Sequence, residues 1–249
     1  MNISGNTILI TGGGSGIGRA FAEAFHAAGN QVVVAGRRRE TLDGVTAANP
    51  GMTARVLDVG DPDAVRTFAE QLVADYPALN VLINNAGIMR AEDLRADAVD
   101  LADAEATIAA NLLGPIRLTA ALLPHLRRQP AAAVVNVTSG LAFVPRADTP
   151  TYSATKAALH SYTESLRHQL RDTSVQVIEL APPLVATDLT PGQRANPRAM
   201  PLDDYVRESM ALLRATPDAP AVYVERVKFQ RYAEAEGRYD AAFHTINPA

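Results

Sequence analysis

Short, uninterrupted apolar runs recur along most of the chain, separated by longer segments with helical periodicity. The runs show no polar alternation, which is typical of parallel strands covered on both faces. The predicted strands are Thr7–Thr11, Gln31–Ala35, Thr53–Leu57, Val81–Asn84, Ala133–Thr138 and Val175–Ala181. Repeated strand–helix–strand units with right-handed crossovers predict one α/β domain over residues 1–249, built on a doubly wound parallel sheet.

Capping signals place the helices between these strands. The first helix is predicted from about Gly16 to Ala28, and Gly29-Asn30 supplies its C-terminal signal. A later helix begins at Asp61-Pro62, a good N-cap followed by proline at the first helical position. The stretch 183–201 is long and marked by prolines, and we predict that it forms a substrate lid.

Composition excludes several classes of protein and site. A chain that is 47% hydrophobic and 20% charged predicts a folded domain, and a net charge of −4 gives no sign of a nucleic-acid or anionic-membrane partner. Cysteine is absent, and the five histidines show no HExxH spacing, so we expect no metal site. No apolar run approaches the length of a membrane span by this inspection, and we expect a cytoplasmic protein.

A glycine-rich loop, Thr11-Gly12-Gly13-Gly14-Ser15-Gly16-Ile17-Gly18, joins the first strand to the first helix. Such glycines let backbone N–H groups approach a pyrophosphate at a helix N-terminus, although a glycine-rich turn without a ligand is the alternative. The spacing Gly12-xxx-Gly16-x-Gly18 differs from the GxGxxG of ordinary dinucleotide folds. It resembles the short-chain dehydrogenase/reductase family, whose compact members carry TGxxxGxG and have a Rossmann-like domain.

Three further segments extend this resemblance. Leu57-Asp58-Val59 matches the acidic pair that holds the adenine, and Asn84-Asn85-Ala86-Gly87 matches the family's NNAG. The segment that follows the sixth strand fits the one that contacts the nicotinamide amide. The resemblance therefore implies a cofactor site formed by Gly12, Gly14, Ser15, Gly16, Ile17, Gly18, Asp58, Val59, Asn85, Ala86, Gly87, Tyr152, Lys156, Pro182, Val185 and Thr187.

The end of the second strand, Ala35-Gly36-Arg37-Arg38-Arg39, bears on the choice of cofactor. NAD enzymes hold the ribose 2′-hydroxyl with an acidic residue near this position, where this chain has Gly36. A guanidinium pairs with a 2′-phosphate, which a carboxylate would repel. We predict that NADP(H) is preferred and NAD(H) possible, with Arg37 the first contact and Arg38 the second. Solvated charge at a helix start is the alternative.

Tyr152 and Lys156 are four residues apart on a predicted helix and share one face. A free tyrosine has a pKa of about 10, and a neighbouring ammonium together with an oxidised nicotinamide would lower it. The phenol could then give or take a proton as hydride moves. A YxxxK pair on its own is more often an exposed surface pair.

Two other residues stand in the order that the family shows. Ser139, at the end of the fifth strand, can polarise a carbonyl. By the resemblance, Asn111 anchors a water that leads to Lys156, and Lys156 also holds the nicotinamide ribose. Together with Tyr152, these residues predict an NADP(H)-dependent oxidoreductase that moves hydride between nicotinamide and a carbonyl or secondary alcohol, as a carbonyl reductase or alcohol dehydrogenase.

The resemblance is close from about Ile3 to Leu189 and weaker beyond. Pro183 replaces a family glycine, and residues 220–249 form an atypical extension with a predicted seventh strand at Ala221–Val224 and helix towards His244. This tail resembles the subgroup named after the oxidoreductase of the lipoteichoic-acid D-alanylation locus, a label from which we infer no cell-wall role. We expect a homo-oligomer, a dimer or a tetramer.

The substrate itself is a small carbonyl or alcohol compound that the sequence does not identify. A largely apolar pocket is predicted from Leu141, Phe143, Val144, Leu184, Leu189, Met200 and Leu202, beside Arg194 and Arg198. A non-catalytic NADP(H)-binding regulator is an alternative that the complete set of catalytic residue types disfavours. An α/β-hydrolase is disfavoured because no serine lies in a G-x-S-x-G segment. An extended-type epimerase is disfavoured by chain length and glycine spacing.

Overall fold

The strands lie side by side in the order β3-β2-β1-β4-β5-β6-β7, and every neighbouring pair is parallel. This arrangement comes from a computed structural model that describes residues 1–248. The strands are β1 (Thr7–Thr11), β2 (Gln31–Gly36), β3 (Thr53–Val56), β4 (Leu79–Asn84), β5 (Ala132–Val137), β6 (Val175–Leu180) and β7 (Ala221–Val222).

Helices connect the strands and cover both faces of the sheet. They are α1 (Gly16–Ala27), α2 (Arg39–Ala48), α3 (Pro62–Asp75), α4 (Ala102–Ile108), α5 (Gly114–Leu126), α6 (Pro150–Leu170), α7 (Leu202–Ala215), α8 (Glu225–Arg231) and α9 (Tyr239–Ile246). A π-helical turn at Ala109–Leu113 joins α4 to α5, and short 3₁₀ turns lie at Gly140–Ala142 and Gln193–Ala195.

Successive residues of β1 face opposite sides of the sheet. Ile8 and Ile10 pack in a core shared with α1 and α7, whereas Leu9 packs in a second core with α3 and α5. Both faces of the sheet are therefore buried, which explains why the strands are apolar runs without polar alternation. The predicted single-domain, Rossmann-like, doubly wound fold is confirmed, with strand ends that differ by one or two residues.

The tail departs from the prediction in two respects. The seventh strand is only Ala221–Val222, because Val224 already serves as the N-cap of α8. The helical segment is divided into α8 and α9 by a turn at Gly237, whose φ of 67° is in the left-handed region.

The helix that runs from Ala102 to Leu126 has a most apolar stretch of mean hydropathy 1.4, and by length and composition it could cross a membrane. The expectation that no apolar run approaches a membrane span is therefore wrong for this segment. Leu118, Leu122 and Leu126 are fully buried in the core that α5 shares with α3 and the sheet. Packing within the domain buries 39% of the most apolar stretch.

The predicted lid, residues 183–201, is folded back on itself. The amide of Ala186 donates to the Met200 carbonyl at 2.8 Å, and the Met200 amide donates to the Leu184 carbonyl at 2.8 Å. Gln193 Nε2 donates to the Val185 carbonyl at 2.9 Å and holds the middle of the segment. The segment is thus a closed loop with internal hydrogen bonds, and its closing over substrate stays a prediction.

A buried carboxylate on β6 connects several elements near the carboxyl end of the sheet. Glu179 is 1% exposed, and its oxygens accept hydrogen bonds from Thr138 Oγ1 at 2.7 Å, Tyr223 Oη at 2.7 Å and His160 Nδ1 at 2.9 Å. Burial alone would raise the pKa of Glu179, but these hydrogen bonds outweigh it and lower the pKa. The hydrogen bond to Glu179 raises the pKa of His160, against the opposing effect of burial.

We expect Glu179→Gln to lower the free energy of unfolding near pH 6 by about 1.5–3 kcal/mol, the range for hydrogen bonds to a charged group. The difference from wild type should shrink as the pH falls through the lowered pKa of Glu179, because protonation removes the same carboxylate. It should also shrink as the pH rises above about 6.5 and through the raised pKa of His160. Urea unfolding over about pH 4–9 measures both changes.

The matched control is Glu164→Gln. Glu164 lies on α6, 3.8 Å from the other ring nitrogen of His160, but its side chain is exposed. We expect this substitution to change stability by less than about 0.5 kcal/mol. A difference between wild type and Glu179→Gln that is constant over the whole pH range would show that the His160–Glu179 pair is not charged.

Candidate active site

A cavity of about 870 Å³ opens at the carboxyl ends of the central strands. The sheet order reverses between β1 and β4, and parallel α/β sheets place their ligands in the crevice at this switch point. Two of the predicted catalytic and cofactor-binding residues, Gly18 and Asn111, do not line the cavity. Those that do are Gly12, Gly14, Ser15, Gly16, Ile17, Arg37, Arg38, Asp58, Val59, Asn85, Ala86, Gly87, Ser139, Tyr152, Lys156, Pro182, Val185 and Thr187.

The glycine loop requires the absence of side chains at specific points. Gly12 has φ of 67°, and a Cβ there would lie 2.8 Å from Asn85 Nδ2. A Cβ on Gly18 would collide with the Gly12 carbonyl oxygen, so Gly18 serves the packing of α1 beneath the loop. The loop therefore brings backbone, rather than side chains, to the cavity wall.

The N-terminus of α1 fits a pyrophosphate. Its first turn carries no acidic residue, and the side chain of its N-cap, Ser15, makes no capping hydrogen bond. N–H groups of the first turn of a helix have no partners within the helix, and together with the helix dipole they favour an anion. Asp58 lines the same cavity at the end of β3, as expected for a residue near an adenine. These residues are those that would hold a dinucleotide.

Two arginines stand at the end of β2. Arg37 and Arg38 are exposed and line the cavity, and Arg38 Nη2 lies 3.4 Å from Ser15 Oγ. Arg39, by contrast, is outside the cavity lining and pairs with Asp43 on α2 at 3.1 Å. The structure thus separates the two candidate cofactor contacts from a neighbour that forms an ordinary helix ion pair.

Helix α6 carries Tyr152 and Lys156 on one buried face. Lys156 Nζ lies 5.6 Å from the centre of the tyrosine ring and donates to the Val137 carbonyl at 2.8 Å. Ser139 is buried and lies two residues after the end of β5. Its Oγ accepts a hydrogen bond from the Leu141 amide at 3.1 Å. The three side chains therefore meet at one wall of the cavity, and Tyr152 and Lys156 share a helical face as their spacing predicted.

The pKa of Tyr152 shifts in the direction opposite to the one predicted. Burial raises it to about 12, and a hydrogen bond with Ser139 opposes the rise. Burial also lowers the pKa of Lys156 to about 8. The prediction relied on the lysine ammonium together with an oxidised nicotinamide, whereas in the protein alone desolvation disfavours both charged forms and is the larger effect.

Asn111 lies in the π-helical turn between α4 and α5 and is fully buried. Its Oδ1 accepts from the Ile88 amide and its Nδ2 donates to the Ile88 carbonyl, both at 2.8 Å. The Asn111 side chain thus links the loop after β4 to the π-helical turn between α4 and α5. π-helical turns are frequent at functional sites, but the glycine and YxxxK spacings gave no signal for this one.

The tail contributes cavity residues that the sequence did not indicate. Asn247 Nδ2 donates to the Pro145 carbonyl at 3.0 Å, and its Oδ1 accepts from the Ala147 amide at 2.6 Å. On α8, Phe229 and Gln230 also line the cavity. These contacts join positions about 100 residues apart, as the separation of Ala147 and Asn247 shows, so no local pattern could have indicated them.

The predicted apolar pocket is formed only in part. Phe143 does not line the cavity and instead packs against the ring of His160, with 5.0 Å between ring centres. Val144, Met200, Leu202 and Arg194 are also absent from the lining. The predicted pocket residues that do line it are Leu141, Leu184, Leu189 and Arg198.

Comparisons with known proteins agree with this geometry. A family model described as short chain dehydrogenase matches residues 6–198. The uncharacterized oxidoreductase DltE of Bacillus subtilis (strain 168) is 40% identical over 251 residues, which cover 99% of this chain and 98% of the relative. The similarity therefore includes the tail as well as the glycine loop.

Two solved structures show the same fold with a nicotinamide cofactor. The 3-ketoacyl-(acyl-carrier-protein) reductase from Brucella melitensis, complexed with NADH, has a TM-score of 0.77 at 26% identity and covers 88% of this chain and 93% of its own. A short chain dehydrogenase from Burkholderia cenocepacia J2315, in complex with NADP, has a TM-score of 0.81 at 26% identity over 98% of both chains. The chain belongs to the short-chain dehydrogenase family of nicotinamide-dependent oxidoreductases.

Proposed function

We propose that this protein is an NADP(H)-dependent carbonyl reductase or alcohol dehydrogenase in which Tyr152 is the general acid and base. The observation that carries the proposal is that Ser139, Tyr152 and Lys156 line the same cavity as the glycine loop. A reacting carbonyl and a dinucleotide can therefore occupy adjacent parts of one space.

Each side chain has a distinct part in the reaction. When bound, NADP(H) supplies or accepts the hydride. With its pKa near 12, the phenol of Tyr152 carries its proton at neutral pH and donates it to the carbonyl oxygen in the direction of reduction. The Ser139 hydroxyl donates a hydrogen bond to the same oxygen. Lys156 would hold the ribose hydroxyls, since its Nζ has only the Val137 carbonyl as a hydrogen-bond partner among residues 1–248.

The preference for NADP(H) rests on the end of β2. Gly36 brings no carboxylate to the position where an NAD enzyme would hold the ribose, and Arg37 and Arg38 line the cavity beside it. A planar guanidinium matches the oxygens of a 2′-phosphate with paired hydrogen bonds. Arg37 is assigned the first contact and Arg38 the second.

Tyr152→Phe should lower kcat by roughly 100-fold or more, because general acid–base catalysis contributes about 10²–10⁴ in rate. NADPH binding should change little, since the phenol is one contact among many. Steady-state rates with a panel of ketones, aldehydes and secondary alcohols, together with NADPH fluorescence titration, give both values.

The control is Tyr162→Phe, on the same helix but outside the cavity lining. It should retain the wild-type rate. Turnover by Tyr152→Phe within a few-fold of wild type would remove the proton-transfer role from this residue.

Arg37→Gln should weaken NADPH binding by roughly 10- to 100-fold, the equivalent of losing hydrogen bonds to a charged group, and leave NADH binding nearly unchanged. Arg39→Gln is the matched control, because Arg39 pairs with Asp43 outside the cavity lining. Dissociation constants for both cofactors test the assignment. A wild-type protein that uses NADH as efficiently as NADPH would refute the preference.

A further inference from the structure

The charged residues around the cavity are predominantly basic, although the whole chain has a net charge of −4. The acidic residues that line it are Asp58, Asp148 and Asp188. The basic residues that line it are Arg37, Arg38, Arg90, Arg146, Lys156, Arg198 and Arg226. A concave site lined by one sign of charge raises the local concentration of ligands of the other sign.

Only part of this positive charge belongs to the cofactor half. Arg37 and Arg38 stand at the end of β2, and Lys156 lies beside Tyr152. The other four arginines come from elements around the opposite half: the loop after β4, the loop before α6, the 183–201 segment and α8. The excess of positive charge therefore extends beyond what a dinucleotide needs.

Two of these four arginines have carboxylate partners and two do not. Arg146 pairs with Asp148 at 2.6 Å, and Arg90 lies 3.7 Å from Asp103. Arg198 and Arg226 have no carboxylate oxygen within 4.0 Å among residues 1–248. Within the part of the chain that the structure describes, no carboxylate therefore competes with a ligand for these two guanidinium groups.

A hydrogen bond brings these two arginines together. Arg226 Nη1 donates to the Arg198 carbonyl at 3.3 Å, which joins α8 to the end of the 183–201 segment. Both residues line the cavity at this junction. Two arginines from different elements, neither with a carboxylate partner among residues 1–248, therefore lie together at one corner of the cavity.

The position of Arg226 on α8 relates this corner to Ser139. Arg226, Phe229 and Gln230 are spaced i, i+3, i+4, so they share one helical face, and all three line the cavity. Gln230 packs so closely on Gly140, the residue after Ser139, that a Cβ there would collide with its amide. Arg226 is therefore about one helical turn, roughly 5–6 Å along the helix, from Gln230, the residue that contacts the loop carrying Ser139. Phe229, which is 42% exposed, adds an apolar side chain to the same face of α8.

Building on the proposed function, we infer that the substrate is a short aldehyde or ketone with an oxyanion group at its far end, bound by Arg198 and Arg226. The carbonyl lies at Ser139 and Tyr152, the carbon chain passes Phe229, and the oxyanion meets the two guanidinium groups. Arginine suits this role because its planar donors match carboxylate, sulfonate and phosphate oxygens.

A matched pair of probes tests the inference: 4-oxobutanoate and its neutral methyl ester, each at saturating NADPH. In this reaction the aldehyde carbon gains the hydride of NADPH and its oxygen gains the Tyr152 proton, giving the alcohol and NADP⁺. We expect kcat/KM for the carboxylate to exceed that for the ester by roughly 10-fold or more, as for a charge-assisted contact. The preference should fall as ionic strength rises.

Substitutions locate the source of the preference. Arg198→Gln and Arg226→Gln should each lower the carboxylate-to-ester ratio of kcat/KM several-fold, through KM, and Arg226→Lys should restore part of it. Arg214→Gln is the control, because Arg214 is exposed on α7 outside the cavity lining. Equal use of both probes by wild type, or a ratio unchanged in both glutamine variants, would overturn the inference.

Binding of unreactive anions separates this inference from the proposed function. Butanoate, propanesulfonate and propyl phosphate, titrated into the NADP⁺-loaded protein by calorimetry, show which oxyanion is favoured. The binding should persist in Tyr152→Phe and weaken in the Arg198→Gln, Arg226→Gln double variant. Absence of binding by all three to wild type would overturn the inference even if the enzyme reduces neutral ketones. Turnover retained in Tyr152→Phe would overturn the proposed function alone.

Discussion

Hydrogen bonds between the carboxyl ends of β1 and β4 fix the junction on which the cavity depends. Thr11 Oγ1 accepts from the Asn85 and Ala86 amides at 3.0 and 3.1 Å, and Asn85 Nδ2 donates back to the Thr11 carbonyl at 2.9 Å. Gly12 can leave this junction only with positive φ, and a side chain there would meet the same Asn85 amide. The crevice at the switch point is therefore built from backbone, the Thr11 hydroxyl and the Asn85 side-chain amide. The glycine loop, the end of β4 and α1 all take their positions from it.

Burial governs the chemistry of the other wall. Tyr152 and Lys156 are both buried, so desolvation raises the pKa of the phenol and lowers that of the ammonium. Both shifts favour neutral groups, which a buried pair tolerates better than two charges. A protonated phenol is the form needed to reduce a carbonyl. In the direction of oxidation, the positive charge of a bound nicotinamide would favour phenolate and oppose the effect of burial.

The sequence was sufficient wherever a single strand or turn determines the outcome. Parallel strands covered on both faces give apolar runs, and the spacing of Gly12, Gly16 and Gly18 follows from steric limits of one turn. The sequence was insufficient where an arrangement depends on contacts between segments that are far apart along the chain. Glu179 is a carboxylate in a largely apolar strand, and its hydrogen-bond partners come from α6, from the residue just after β5 and from the tail. The pKa of Tyr152 and the internal bonds of the 183–201 segment likewise depend on contacts that spacing along the chain does not encode.

The two halves of the cavity differ in what builds them. The proposed cofactor half lies at the glycine loop and the strand ends, with side chains from Arg37, Arg38, Asp58 and Lys156. The other half is made by side chains of the 183–201 segment and the tail, and Asn247 holds that tail to the loop after Ser139. The family model ends at residue 198, so Arg198 is the last residue it matches and Arg226 lies beyond it. In the proposed reaction, Ser139 after β5 and Tyr152 and Lys156 on α6 carry the chemistry, whereas the proposed substrate contacts lie in the 183–201 segment and α8. The second set can change while the first stays fixed.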